Sequence, residues 1–210
     1  MSELPADGLE APLYIAGTRT FSAEVADFAR DAGVEPAGLL EPFDRERAGT
    51  SIHGLLVGWL EETEPPPGAT VLIGTGEPDR RELAERLAAG GWRPASFVHP
   101  TAHLAPSAEV GAGSIVGPGV VVGAMSRIGE QVVIGRGSLV GHHTEIEGFA
   151  TLGPGANVAG NVRIGAGAFL GMAAVIRDHV EVGEGATVAM GAVVVGDVPA
   201  GTQVRGLPAR

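Results

Sequence analysis

Two adjacent histidines, His142-His143, are the residues of this 210-residue chain best suited to move a proton near neutral pH, because an imidazole titrates at about pH 6.5. Their competitors for covalent chemistry are missing. With no Cys, disulfides, thiolate nucleophiles and Cys-ligated zinc are excluded. With no Lys, all fourteen basic residues being Arg, Schiff-base chemistry and Lys-dependent phosphate loops are excluded as well. General acid–base work is the chemistry this pair of imidazoles can do.

The pair sits inside a stretch, 98–199, that repeats every six residues. From Val98 to Val194 every sixth residue is aliphatic, and four places after each comes a small or β-branched residue such as Ser126, Thr144, Ala150 or Val162. A helix needs spacings of three and four and a flat strand needs steady alternation, so neither accounts for a strict six. Short strands separated by tight turns do, each placing one large and one small residue inward, in the hexapeptide β-helix manner. Periodicity alone leaves handedness and the number of faces open. His142 and His143 take the third and fourth places of their hexad, a turn between two faces, and are predicted to project outward.

The residues in front of the repeat alternate strand and helix signals. Residues 1–10 are polar, and Leu13 to Ala16 reads as a short buried strand ending at Gly17. Ser22 is the expected N-cap of a helix to Ala32 with Val25, Phe28 and Ala29 inward. Further strands are predicted over Val34 to Leu40, Ile52 to Val57 and Val71 to Ile73, with a helical turn from Trp59 to Glu62. Pro78 is expected to open a second helix running through Ala89. Such alternation implies a small parallel α/β unit that binds ligands at its strand C-ends, where Gly17-Thr18-Arg19 and Gly74-Thr75-Gly76 fall. A net charge of −11 and a pI near 4.9 argue against nucleic acid and anionic membranes as partners. No apolar run approaches membrane-spanning length and no signal peptide is evident, so a cytoplasmic protein without membrane insertion is expected.

The succession of an α/β unit, His99-Pro100-Thr101-Ala102, uninterrupted hexads containing Ala159-Gly160-Asn161-Val162-Arg163-Ile164-Gly165, and a final Gly206-Leu207-Pro208-Ala209-Arg210 resembles one bacterial family. That family comprises the sialic-acid O-acetyltransferases and nucleotide-amino-sugar N-acetyltransferases, and the likeness runs nearly throughout from Leu13. It implies a Rossmann-like domain for the nucleotide sugar over 11–97, an all-β left-handed parallel β-helix over 98–199 with three hexads per triangular coil, and a tail over 200–210. It further implies a homotrimer, acetyl-CoA as co-substrate, a nucleotide-sugar acceptor and no metal. The family's general base falls on His142. The acidic residue that follows it in the family is here His143, and the later histidine that contacts acetyl-CoA is here Thr151. By family position acetyl-CoA runs past Thr151, Met172 and Met190 along the groove between subunits, while Gly17, Thr18, Arg19, Glu41 and Gly74 meet the nucleotide sugar. Arg19 is expected to face a diphosphate and Glu41 a base or ribose.

With eighteen residues per coil, His142 meets Gly160 and His143 meets Asn161 at about 4.8 Å. Asn161 is then a candidate to hydrogen-bond an imidazole, Gly160 to approach the thioester, and Glu145 to orient the base in place of the missing carboxylate. His143 and His179 lie two coils apart, roughly 9–10 Å, which is too far to share a zinc ion held at about 2.0–2.1 Å. His53, His99 and His103 read as structural. Three functions stay open: N-acetylation of a nucleotide-linked amino sugar, a silent trimeric scaffold that binds a nucleotide sugar or CoA, and acyl transfer with another acceptor, such as a sugar hydroxyl, or another acyl chain.

Overall fold

The computed structural model describes residues 12–76 and 80–210, and the chain divides after Ser96 into two units. The first is built on a sheet of short apolar strands, β1 (Leu13–Ala16), β2 (Gly38–Glu41), β3 (Ser51–Ile52), β4 (Leu55–Trp59), β5 (Thr70–Ile73) and β6 (Arg93–Pro94), with helices α1 (Thr20–Asp31) and α2 (Arg80–Ala89). Their order is β3-β4-β2-β1-β5-β6. All pairings are parallel except the β3–β4 hairpin, whose turn places His53 and Gly54 at positive φ of 52° and 78°. The chain leaves central β1 first toward β2 and later returns on the other side as β5, so a crevice opens beyond the C-terminal ends of β1 and β5.

Several local expectations shift. Helix α1 begins at Thr20 rather than after Ser22, with Arg19 as an N-cap that makes no side-chain cap bond. Ser22 lies buried inside the first turn and its hydroxyl donates to the Arg19 carbonyl. The reason is close packing: a Cβ on Gly74 would lie 2.8 Å from the Ser22 Cα, so the helix start is pressed against the end of β5. The second strand starts only at Gly38: the Val34 amide is still bonded back to Ala29 at the end of α1, and the chain first meets β1 through the Ala37 amide bond to the Leu13 carbonyl. The run 52–57 is a hairpin rather than one strand, and β6 is a strand the periodicity did not mark, its proline tolerated at the sheet edge. The expected helix start at Pro78 and the polar residues 1–10 lie outside the described residues.

The second unit is a parallel β-helix of two-residue strands. Strands eighteen residues apart pair in register, so Val98, Val116, Ile134, Leu152, Leu170 and Val188 stack on a first face, Leu104 through Val194 on a second and Val110 through Val182 on a third. The stacked aliphatics form one continuous core. Burying each contributes roughly 1.5–3 kcal/mol, against about 1 kcal/mol net for a backbone hydrogen bond, so the core rather than the strand pairing holds so short an element. From Gly113 to Gly191 every sixth residue turns a corner with positive φ, among them His143 at 54° and Asn161 at 57°. On the third face the outward positions alternate in charge, Glu109, Arg127, Glu145, Arg163, Glu181. On the second face they expose Val121, Leu139 and Val175.

The tail over 200–210 stays bonded to the coil. Gln203–Val204 adds a further strand to the first face by pairing with Thr187–Val188, and Gly206 and Ala209 exchange backbone hydrogen bonds with Val193. An open coil end would leave unpaired edge groups and exposed core, which these bonds cover.

Candidate active site

His142 and His143 stand on the edge between the second and third faces, between strands Leu139–Val140 and Glu145–Ile146. Both are exposed. Their corner is pinned from inside by hydroxyls at hexad positions that are mostly Ala or Val elsewhere in the coil. Ser126 Oγ donates to the Gly141 carbonyl (2.7 Å) and accepts from the Thr144 amide (3.2 Å). Thr144 Oγ1 donates to the Ala159 carbonyl (3.0 Å) and accepts from the Val162 amide (3.4 Å). The peptide before His142 and the peptide before Gly160 are thus fixed by buried groups whose donors and acceptors are matched. The sequence marked Ser126 and Thr144 only as small inward residues; their polarity was the signal of a second role.

The His142 ring lies over Gly160, one coil on. A Cβ at Gly160 would come 2.8 Å from Cε1, 2.9 Å from Nε2 and 3.1 Å from Nδ1 of the ring, so no larger residue fits beneath it. His142 Nδ1 is 3.1 Å from His143 Nδ1, with the two rings at 86°. Among the described residues, no hydrogen bond reaches His142 Nε2. Asn161 does not bond either imidazole; its amide N–H donates to the His142 carbonyl at 2.9 Å, and its side chain is exposed. Glu145 also fails to reach the pair, since it stands in the charged ladder between Arg127 and Arg163. The guanidinium of Arg163 is held above its usual range by its hydrogen bonds to Glu147 first, then by the Glu181 and Glu145 charges.

Thr151, Met172 and Met190 are not brought beside His142 within one chain. Met172 and Met190 stand one above the other on the edge between the first and second faces, 49% and 71% exposed, and Thr151 lies on the first face. Among the described residues no group of three or more His, Asp or Glu is placed to hold a metal ion. His99 is buried with Nδ1 2.8 Å from Thr101 Oγ1, and His53 sits in the hairpin turn.

In the first unit, Gly17, Thr18, Arg19, Glu41 and Gly74 do converge. With Thr20, Phe21, Phe43, Thr75 and Gly76 they line a cavity of about 480 Å³ at the C-terminal ends of β1 and β5, a size that suits a small ligand. The start of α1 opens into it, and a helix N-terminus favours an anion. Gly17 and Gly74 act by their lack of Cβ: one on Gly17 (φ 121°) would lie 2.9 Å from Thr75 Cγ2, and one on Gly74 would meet Ile15 and Ser22 at 2.8 Å. Among the described residues Thr75 Oγ1 is buried in this crevice without a partner, a feature the sequence did not mark.

Glu41 departs from the expected base or ribose contact. It is 3% exposed, with Oε1 accepting from the Phe43 and Asp44 amides (2.7 and 2.9 Å) and Oε2 from the Thr18 hydroxyl, which Arg47 also reaches. Its carboxylate is therefore consumed by its own loop, which it shapes around the cavity. Glu41→Ala would strand two amides, and is expected to cost roughly 1–3 kcal/mol, read as a lower Tm. An unchanged Tm would contradict this role.

Comparison with known proteins agrees with this architecture. The family model "Bacterial transferase hexapeptide (six repeats)" matches residues 161–196. The acetyltransferase domain of PglB from Neisseria gonorrhoeae, crystallised with acetyl coenzyme A, is 32% identical with a TM-score of 0.86, over 95% of this chain and 98% of that one. PerB from Caulobacter crescentus, crystallised with CoA and GDP-perosamine, is 28% identical with a TM-score of 0.83, over 95% and 96%. WeeI from Acinetobacter baumannii is 27% identical with a TM-score of 0.88, over 95% and 99%. No curated protein matched by sequence. The chain belongs to the hexapeptide-repeat sialic-acid O-acetyltransferase and nucleotide-amino-sugar N-acetyltransferase family, and its coil is the left-handed β-helix of that family. It is an enzyme, an acyltransferase. None of its described helices is long and apolar enough to cross a membrane.

Proposed function

We propose that this enzyme transfers the acetyl group of acetyl-CoA to the amine of a nucleotide-linked amino sugar, with His142 as general base. The observation that carries this reading is the His142 imidazole at an open corner, seated on Gly160, with Nε2 unengaged. The amine nitrogen attacks the thioester carbonyl carbon and gives a proton to His142 Nε2 as the C–N bond forms. The C–S bond then breaks, its electron pair leaves on sulfur, and the imidazolium returns the proton to yield the CoA thiol. The chain has no Cys to carry the acyl group, which supports direct transfer. The Gly160 amide N–H, which the coil leaves unused among the described residues, is the donor we place at the thioester oxygen.

The crevice beyond β1 and β5 supports a nucleotide diphosphate, with the start of α1 and Arg19 meeting its charge. PerB was crystallised with GDP-perosamine, a nucleotide sugar of this kind. Because Met172 and Met190 lie on a different edge from His142, acetyl-CoA touching both must pass between two copies. The exposed Val121, Leu139 and Val175 on the face joining those edges support such packing in a homotrimer.

Thiol release from acetyl-CoA tests the reading, with UDP-, GDP- and dTDP-linked amino sugars set against the same sugars bearing a hydroxyl instead of the amine. Turnover with one amino sugar and none with its hydroxyl counterpart is expected. Turnover on hydroxyl acceptors alone would make the enzyme an O-acyltransferase, and release with none of them would overturn the acceptor class.

A further inference from the structure

We infer that His143 is a positioning residue that sets the tautomer of His142 by accepting a hydrogen bond at its own Nδ1. The kinetic part of this inference rests on the reading of His142 as base; the proton placement does not.

The two Nδ1 atoms are 3.1 Å apart. A hydrogen bond between identical nitrogens requires that one carry a proton and the other a lone pair, and a neutral imidazole has one of each. Two arrangements satisfy this. In the first, His142 donates from Nδ1, which leaves the lone pair on its Nε2, the nitrogen that no other group among the described residues engages. In the second, His143 donates, the His142 proton moves to Nε2, and that nitrogen can no longer accept one. Only the first arrangement is a base. It is also the one the reaction strengthens: when Nε2 takes a proton, His142 becomes a cation that keeps its Nδ1–H, and its bond to neutral His143 becomes charge-assisted.

The backbone holds His143 to this task. Its φ of 54° and the bond from its amide to the Ala124 carbonyl (2.8 Å) fix the corner from which its ring meets His142 nearly at right angles. Gly160 leaves room for the His142 ring in this position, since a Cβ there would come 2.8 Å from it. The surroundings leave the pair to itself. The corners packed directly below and above are Ala124-Met125 and Gly160-Asn161, neither of which titrates. The charged or titratable groups beyond are Glu145, engaged in its ladder with Arg127 and Arg163, and Asp178-His179 two coils on, 3.8 Å from each other.

Two measurements test this. Nitrogen-15 NMR of the imidazoles, assigned by single histidine variants, should show His142 in the Nδ1–H tautomer, against the Nε2–H form that free imidazole side chains favour, and His143→Ala should abolish that preference. Kinetically, His143→Ala is expected to lower kcat about ten-fold with KM little changed. His143→Asp supplies a charged acceptor that stabilises the His142 cation, and should move the acid limb of kcat/KM upward by about one pH unit; His143→Asn keeps an uncharged acceptor and should not. An Nε2–H tautomer in the unaltered enzyme, or one acid limb shared by all the variants, would overturn the inference. The expected tautomer in a protein that acetylates no amino sugar would leave the pair standing and remove the proposed acceptor.

Discussion

Replacing His142 by alanine is expected to reduce kcat by roughly 10²- to 10⁴-fold, the range a positioned general base supplies, without loss of folded protein. The side chain is exposed and lies against His143 and the backbone at Gly160. It stands outside the coil's core, so its removal should leave the melting temperature within about two degrees, as expected when a surface change stays within ±0.5 kcal/mol. The pairing of a large kinetic loss with an unmoved Tm is the informative result. Acyl transfer from acetyl-CoA that survives in His142→Ala would remove this residue from the chemistry whatever the acceptor proved to be.

The second large effect is expected at a residue with no side chain. Gly141→Ala would put a Cβ 2.4 Å from the Ala159 carbonyl carbon and 2.4 Å from the Gly160 nitrogen, both main-chain atoms of the next coil that cannot swing aside. Overpacking of this kind typically costs about 1–3 kcal/mol, or several degrees of Tm at this chain length. The same displacement lifts Gly160 away from His142 and strains the Ser126 bond to the Gly141 carbonyl. Misplacing a catalytic group by about 1 Å can cost on the order of 10²-fold in rate. Gly196 is the control, since it shares this edge but has nothing within 4 Å of a Cβ. Gly196→Ala should therefore change neither Tm nor turnover appreciably, and equal effects at the two glycines would refute the argument from coil spacing.

The coil, its core and the placement of His142 over Gly160 were legible because a six-residue period ties each residue to a partner at a constant distance along the chain. Once three hexads per coil are assumed, contact follows from counting, and the pairing of Val140 with Val158 on the strand before the corner has that register. The α/β unit was legible in outline, through Leu13 to Ala16 and Val71 to Ile73, but not at its boundaries. Packing of Ser22 against Gly74 decided where α1 begins, and such contacts have no signature in local composition.

Side-chain partners were the harder matter. Asn161, Glu145 and His143 all lay within reach of His142 by counting, and rotamers together with competing partners selected His143. Glu41 was expected to meet a base or ribose; it lines the crevice, but loop closure gave its carboxylate to Phe43, Asp44 and Thr18. Residue types and their period therefore determined by themselves what this chain folds into and where an imidazole meets solvent, since repetition turns sequence distance into space. Which nitrogen faces which, which carboxylate is already engaged, and that the methionines stand on another edge were decided only by the tertiary structure. Those outcomes depend on competition among groups that converge from separate parts of the chain.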